Sequence, residues 1–225
     1  MYKLTRPDGF DFYSGTVNYR DAIGTIIRVT DYDPPERGPC GRGLHASRNP
    51  NNCFVGAKIP CAAFRVRGIQ PIAKDSNKTR YQALKVIEEI TDLDAFFGWK
   101  YSEAINPIHP FQIEPPVITE QHIKLVKEWD SVRASVRASV RASVRASVRD
   151  SVWDSVRASV GDSVGAYIGS LFSNIKIWKY TLKTEEYPYK NTVDLWKQGL
   201  VPSFDGKTWR IHGKPNGKIL WEEIF

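Results

Sequence analysis

SVRASVRASVRASVRASVRDSVWDSVRASVGDSVGA, residues 131–166, is nine consecutive copies of a four-residue unit, Ser-Val-x-(Ala/Asp). The third position reads Arg133, Arg137, Arg141, Arg145, Arg149, Trp153, Arg157, Gly161 and Gly165, and a degenerate copy, Tyr167-Ile168-Gly169-Ser170, closes the run. Arg, Trp and Gly codons can differ in the first base alone, and Ala and Asp codons in the second. The tract therefore reads as a recent tandem duplication that has since drifted base by base.

In an α-helix each unit advances about 400°, so the valines Val132, Val136, Val140, Val144, Val148, Val152 and Val156 drift by about 40° per copy. Over the whole run the stripe travels about once around the axis. No fixed face stays apolar, which excludes a left-handed coiled coil and a simple surface helix. Something must wrap or stack against these valines. Val and Ser are mediocre helix formers and arginines four apart repel, so the tract depends on partners for its stability.

The rival conformation is a small β-solenoid with Val inside and Arg outside. Nine units make too few coils for a stable stack, and a helix start lies upstream. Thr119 is a good N-cap before Glu120-Gln121, and neither Gly nor Pro intervenes from there to Val160. The expectation is one long helix, about 60 Å if continuous from 120 to 160.

On either side of the tract the chain reads differently. Residues 1–75 carry β-branched runs, Thr25–Thr30 and Cys61–Arg67, separated by turn residues. Tyr81–Ile90 is read as a helix, with Leu84, Ile87 and Val86 toward one face. Prolines 107, 110, 115 and 116 mark an ordered linker over 105–118. After the repeats, Val193–Gly199 reads as a short helix closed by its glycine, and Lys207–His212 with Gly217–Trp221 as a hairpin. The fold class is α+β. A β-rich module with one helix spans 1–104, the linker 105–118, the repeat segment 119–170 and a small aromatic β-rich module 171–225.

Composition bounds the function classes. Ten Tyr, ten Phe and seven Trp in 225 residues exclude a disordered chain. No apolar run is long enough to cross a bilayer, and the first residues lack a secretory signal. A cytoplasmic protein with three reduced cysteines is expected. The net charge of +7 is modest and spread. It supports attraction to anionic partners without specifying one.

Individual residues yield less. Cys40, His45, Cys53 and Cys61 lack the tight Cys pair of zinc sites and read as structural. Trp153, Trp196, Trp209 and Trp221 read as core aromatics before they read as a stacking platform. His109 and His212 have no serine or carboxylate at a telling spacing, so no catalytic residue is assigned and no cofactor or metal is called for.

The segment Cys40-Gly41-Arg42-Gly43-Leu44-His45-Ala46-Ser47 resembles the GLHAS signature of uncharacterised phage and bacterial proteins. These join a small β-rich module to a run of Ala-Ala-Trp/Arg-Asp/Ala tetrapeptides, to which the Ser-Val-Arg/Trp-Ala/Asp run is similar. Val117–Gln121 resembles their entry into the helical part. The resemblance implies a phage or mobile-element origin, a host cytoplasm or virion as location, and no established catalytic residues. The run from Gly43–Ser47 through Ala57 to Phe64–Arg67 also resembles ADP-ribosyltransferase cores, although Asn49–Asn52 is a poor helix and no catalytic Glu follows. The expected function is a non-enzymatic interaction or structural protein. Its repeat, through the valines above and Arg133, Arg137, Arg141, Arg145, Arg149, Trp153 and Arg157, packs or self-associates. The alternatives are a binder of an anionic small molecule or nucleic acid, and the transferase-like enzyme. The partner is the protein itself or another protein, with no membrane involved.

Overall fold

The computed structural model describes residues 1–144, 161–181 and 186–224, and the chain divides into two compact units, Met1–Phe97 and Gly98–Phe225. The proline-rich segment, the described repeats and the C-terminal module all belong to the second. The fold is α+β.

The first unit is built on an antiparallel sheet in the order β1 (Tyr2–Thr5), β4 (Ala62–Lys74), β5 (Thr79–Ile90) and β2 (Ile26–Arg28). The short β3 (Leu44–Ala46) also pairs with β5, Leu44 opposite Tyr81 and Ala46 opposite Thr79. β4 and β5 form a long hairpin, whose turn is held by the Asp75 carboxylate accepting from the amides of Asn77 and Lys78, both at 2.7 Å. The short helix α1 (Leu93–Phe97) ends the unit. Its core gathers Tyr19, Phe64, Val66, Leu84 and Val86 on one face of the sheet.

The expected helix over Tyr81–Ile90 is therefore a correction: these residues lie in strand β5. Arg80, Tyr81, Ala83, Leu84 and Val86 are all buried. A central strand covered on both faces shows no period of two, so its burial spacing imitates a helix.

The second unit begins with α2 (Tyr101–Ile105) and a 3-10 turn at Pro110–Gln112. Helix α3 (Glu120–Asp130) starts at Thr119, as the sequence predicts. His122 completes the cap: its Nδ1 accepts from the Thr119 amide at 3.0 Å, which leaves Nε2–H to donate to Gln198 Oε1 at 3.2 Å. The single long helix does not form. α3 stops at Asp130, a turn occupies Ser131-Val132, α4 runs Arg133–Ser143, and Val144 is extended at φ −106°, ψ 134°. The serines favour this interruption. Ser131 Oγ donates to Glu128 O at 2.8 Å and Ser135 Oγ to Val132 O at 2.9 Å, bonds that compete with the helix ladder.

The last repeats form α5 (Gly161–Ser170), buried from Ser163 to Gly169. Helix α6 (Lys190–Lys197) follows. It ends at Gly199, φ +77°, with Leu200 N–H bonded back to Leu195 O and Gly199 N–H to Trp196 O. A three-stranded antiparallel sheet, β6 (Val201–Phe204), β7 (Trp209–Gly213) and β8 (Lys218–Glu223), completes the unit. Strands β7 and β8 make the expected hairpin, to which β6 adds an edge. The described repeats are helical, so the solenoid alternative finds no strand in them.

Candidate functional site

Val136, Val140 and Val144 are buried, Val132 and Arg133 are half-buried, and Arg141 is exposed. Arg145, Val148, Arg149, Val152, Trp153, Val156 and Arg157 lie outside the described residues, as does the side chain of Arg137. The buried valines are covered by the chain itself. α4 packs on α5, where a Cβ placed at Gly165 would lie 3.8 Å from Val136 Cγ2 and one at Gly169 only 3.1 Å from Val140 Cγ2.

Interruption of the helix answers the drift problem. Between Val132 and Val144 the stripe turns by about 120°, within the width of one apolar face. Ser135 Oγ meets Tyr189 Oη at 3.0 Å and Ser139 Oγ donates to Lys179 O, which ties α4 to the segments after α5. Arg133 lies over the rings of Phe204 and Trp209, 4.5 and 5.5 Å from their centroids, and its Nε donates to Asp130 at 3.1 Å.

The first unit holds a cleft of about 640 Å³. Strands β1 and β3 supply Lys3 and His45, Lys78 follows the β-hairpin turn, Tyr19 lines it from a loop and Cys53 from the 3-10 helix at Pro50–Val55. The GLHAS segment is thus one wall of a cavity. Gly43, in that wall, is placed by a buried arginine. Arg80 donates to the carbonyls of Asp33 at 2.6 Å, Arg42 at 2.8 Å and Pro34 at 2.9 Å. A Cβ at Gly43 would stand 2.9 Å from Arg80 Cγ, and one at Gly41 2.7 Å from Arg80 Nη1, so only glycine lets the loop lie against this side chain. Arg42 turns outward and pairs with Asp31 and Asp33 at 2.7 and 3.0 Å.

On the opposite rim, one carboxylate organises a whole loop. Asp11 accepts from the amides of Tyr13, Ser14, Thr16 and Val17 and from the Ser14 hydroxyl, at 2.7 to 3.3 Å. Burial would raise its pKa, but these hydrogen bonds, with the charge of Lys3, bring it below the usual carboxylate range.

The cleft lining carries Lys3, Lys78 and Arg42 together with Asp11, Asp31 and Asp33, and Arg42 pairs with Asp31 and Asp33. Burial pushes the Lys3 ammonium below its ordinary pKa, partly countered by the charge of Asp11. Its Nζ lies 5.4 Å from the Tyr19 ring centroid, and no hydrogen bond or ion pair holds it among the described residues. The Tyr19 hydroxyl is buried without a hydrogen-bond partner, and burial followed by the charge of Asp11 pushes its pKa up. His45 is pushed down to about 4 by burial, then by the nearby charges of Lys3 and Lys78. It is neutral at pH 7, with Nε2–H donating to Pro39 O at 2.9 Å. Burial raises the Cys53 thiol, which donates to Tyr2 O at 3.4 Å, so it is no activated nucleophile.

The order strand, helix, strand noted for the transferase resemblance is present as β3, a 3-10 helix at Pro50–Val55 and β4, but no glutamate lines the cleft. Among the described residues no group of three His, Cys, Asp or Glu is placed to hold a metal ion, and no helix is long and apolar enough to cross a membrane.

A second polar cluster braces the small sheet. His212 Nδ1–H donates to Gly217 O at 2.9 Å, leaving Nε2 to accept from Ser203 Oγ at 2.7 Å. The proton order is that of a nucleophile and its base. The pair joins adjacent strands of a sheet outside the cleft, and it reads as a cross-strand tie.

Sequence reasoning missed Lys3, Tyr19 and Lys78 altogether. They lie far apart in the chain and converge only through the antiparallel pairing of β1, β4 and β5. The signal within reach was the GLHAS segment itself. Compared with family models, with curated proteins and with solved structures, the chain matches none.

Proposed function

We propose that the first unit is a binding module for a small anionic molecule, held in the cleft over Lys3, Lys78 and His45. The observation that supports it most is a pair of unmatched donors: the Lys3 ammonium and the buried Tyr19 hydroxyl line one cavity, and neither has an acceptor. An unmade hydrogen bond at a buried group costs about 1–3 kcal/mol, more when the group is charged. An anion seated on Lys3 removes that cost at the ammonium and also favours its charged form. The cleft chemistry suits holding rather than reacting, because His45 is already hydrogen-bonded and neutral and Cys53 stays a thiol.

On this reading the repeat is the packing element of the second unit. Val136 and Val140, which self-association would offer to a partner, are already covered by α5. A phage or mobile-element protein, as the GLHAS resemblance implies, would then carry its recognition chemistry in the GLHAS unit and use the repeat as scaffold.

Calorimetric titration at low ionic strength with inorganic pyrophosphate and with citrate tests the reading. Saturable binding by one of them is expected, weakened at least tenfold in Lys3→Met and by added salt. No saturable binding of either anion at millimolar concentration, with Lys3→Met indistinguishable from the parent, overturns it.

A further inference from the structure

We infer that the anion taken by the cleft is a nucleoside phosphate, its phosphates on Lys3 and Lys78 and its base stacked on Tyr13. The inference rests on the anion-binding reading above and adds the ligand's second half. Tyr13 lines the cleft, yet 97% of its surface is open to solvent. An exposed aromatic on a loose loop would mean little. This one sits on a loop whose backbone is fixed by the Asp11 carboxylate, including the Tyr13 amide itself at 3.0 Å. The loop backbone that carries the ring is thereby ordered in the free protein, which lowers the cost of presenting it to a ligand.

Two further features agree. The cleft volume of about 640 Å³ is several times what an inorganic anion occupies and falls in the range of pockets that enclose an organic ligand. Val55, on the 3-10 helix at Pro50–Val55, adds an exposed apolar side chain to the cleft lining, 53% open to solvent. Lys3 and Lys78 at one end and an exposed ring at the rim suit a ligand that is both anionic and planar, and a nucleoside phosphate is both. Base-on-ring stacking tolerates any base, so the geometry selects the class and leaves the base open.

Titration of the full chain with ADP and with inorganic pyrophosphate, in the parent and in Tyr13→Ala and Tyr13→Trp, tests the inference. ADP is expected to bind more tightly than pyrophosphate despite its lower charge. Tyr13→Ala should weaken ADP at least fivefold and leave pyrophosphate unchanged, and Tyr13→Trp should retain ADP binding. Pyrophosphate that binds while ADP binds no better, or a Tyr13→Ala effect equal on both ligands, overturns the nucleoside assignment and leaves the anion site standing. Failure of both ligands to bind overturns both.

Discussion

The two units solve the problem of buried polar groups in opposite ways. The first encloses charge: Arg80 is fully buried and caged by three carbonyls, Asp11 is nearly so, and Lys3 faces a cavity without a partner. In the second, the described repeats lose charge as they go inward. The third repeat position is arginine on α4, at Arg133, Arg137 and Arg141, and glycine on buried α5, at Gly161, Gly165 and Gly169. One duplicated unit thus yields both an outer and an inner helix, differing at the third position, which on α5 meets the valines of α4. A unit that keeps unmatched donors beside a cavity is suited to bind, and a helix that exchanges arginine for glycine where it is buried is suited to support.

The comparison breaks most severely if arginine is restored where the buried helix has shed it. Gly169→Arg would drive a Cβ to 3.1 Å from Val140 Cγ2, overlap the Tyr187 hydroxyl and bury an unpaired guanidinium. A loss of more than about 4 kcal/mol is expected, a large part of a domain's stability. Hydrogen exchange followed by mass spectrometry should show α4, α5 and α6 losing protection while β4 and β5 keep theirs. Equal protection of α5 in variant and parent would contradict the packing.

Arg80→Met makes the corresponding break in the first unit. The carbonyls of Asp33, Pro34 and Arg42 lose their donor while remaining under the Gly41–Gly43 loop. At about 1–3 kcal/mol per orphaned acceptor, the cost is about 4 kcal/mol. Protection should fall in β3 and β5, with pyrophosphate binding lost, and the second unit unaffected. Lysine cannot reach three acceptors in the fork geometry, so Arg80→Lys should rescue little.

How far this division was legible beforehand differs between the units. The period of four announced that valines needed cover, and Thr119, Gly199 and the C-terminal hairpin carried local signals that the structure follows. What covers the valines was hidden, because the break at Ser131-Val132 goes with serine back-bonding and neither it nor the one at Val144 carries a Gly or Pro. The Arg-to-Gly change at 161 and 165 was visible, and codon drift alone accounted for it. Its packing meaning appears only when α5 is seen to be buried. In the first unit, β5 imitated a helix because both its faces are covered. Lys3 looked like an ordinary N-terminal lysine until β1 was paired with β4 at Lys3 opposite Phe64.

A gentler probe is pH. The folded-state pKa of His45, about 4, lies below the unfolded value near 6.5, so the unfolded chain binds the proton first. The stability this histidine contributes is complete above pH 6.5 and is lost as pH falls toward 4. About 2 kcal/mol should disappear from the first unit between pH 6.5 and 4.5. His45→Gln should flatten that portion of the profile, measured by denaturant titration with exchange in β3 as the local readout. An unchanged slope in the variant would remove His45 as the cause.

The smallest effect separates two arginines of the same repeat. Arg133 stacks on Phe204 and Trp209 and pairs with Asp130, and Arg141 is exposed. A partly desolvated cation over two rings contributes about 1 kcal/mol, while an exposed side chain away from such features stays within about 0.5 kcal/mol. Arg133→Ala should therefore lower the midpoint of the second unit measurably, and Arg141→Ala should not. Arg133→Met would recover part of the loss by covering the same rings without charge. If the two alanine variants prove equal, the third position of α4 does nothing for the fold. The arginines would then be residues that α4 tolerates and α5 cannot.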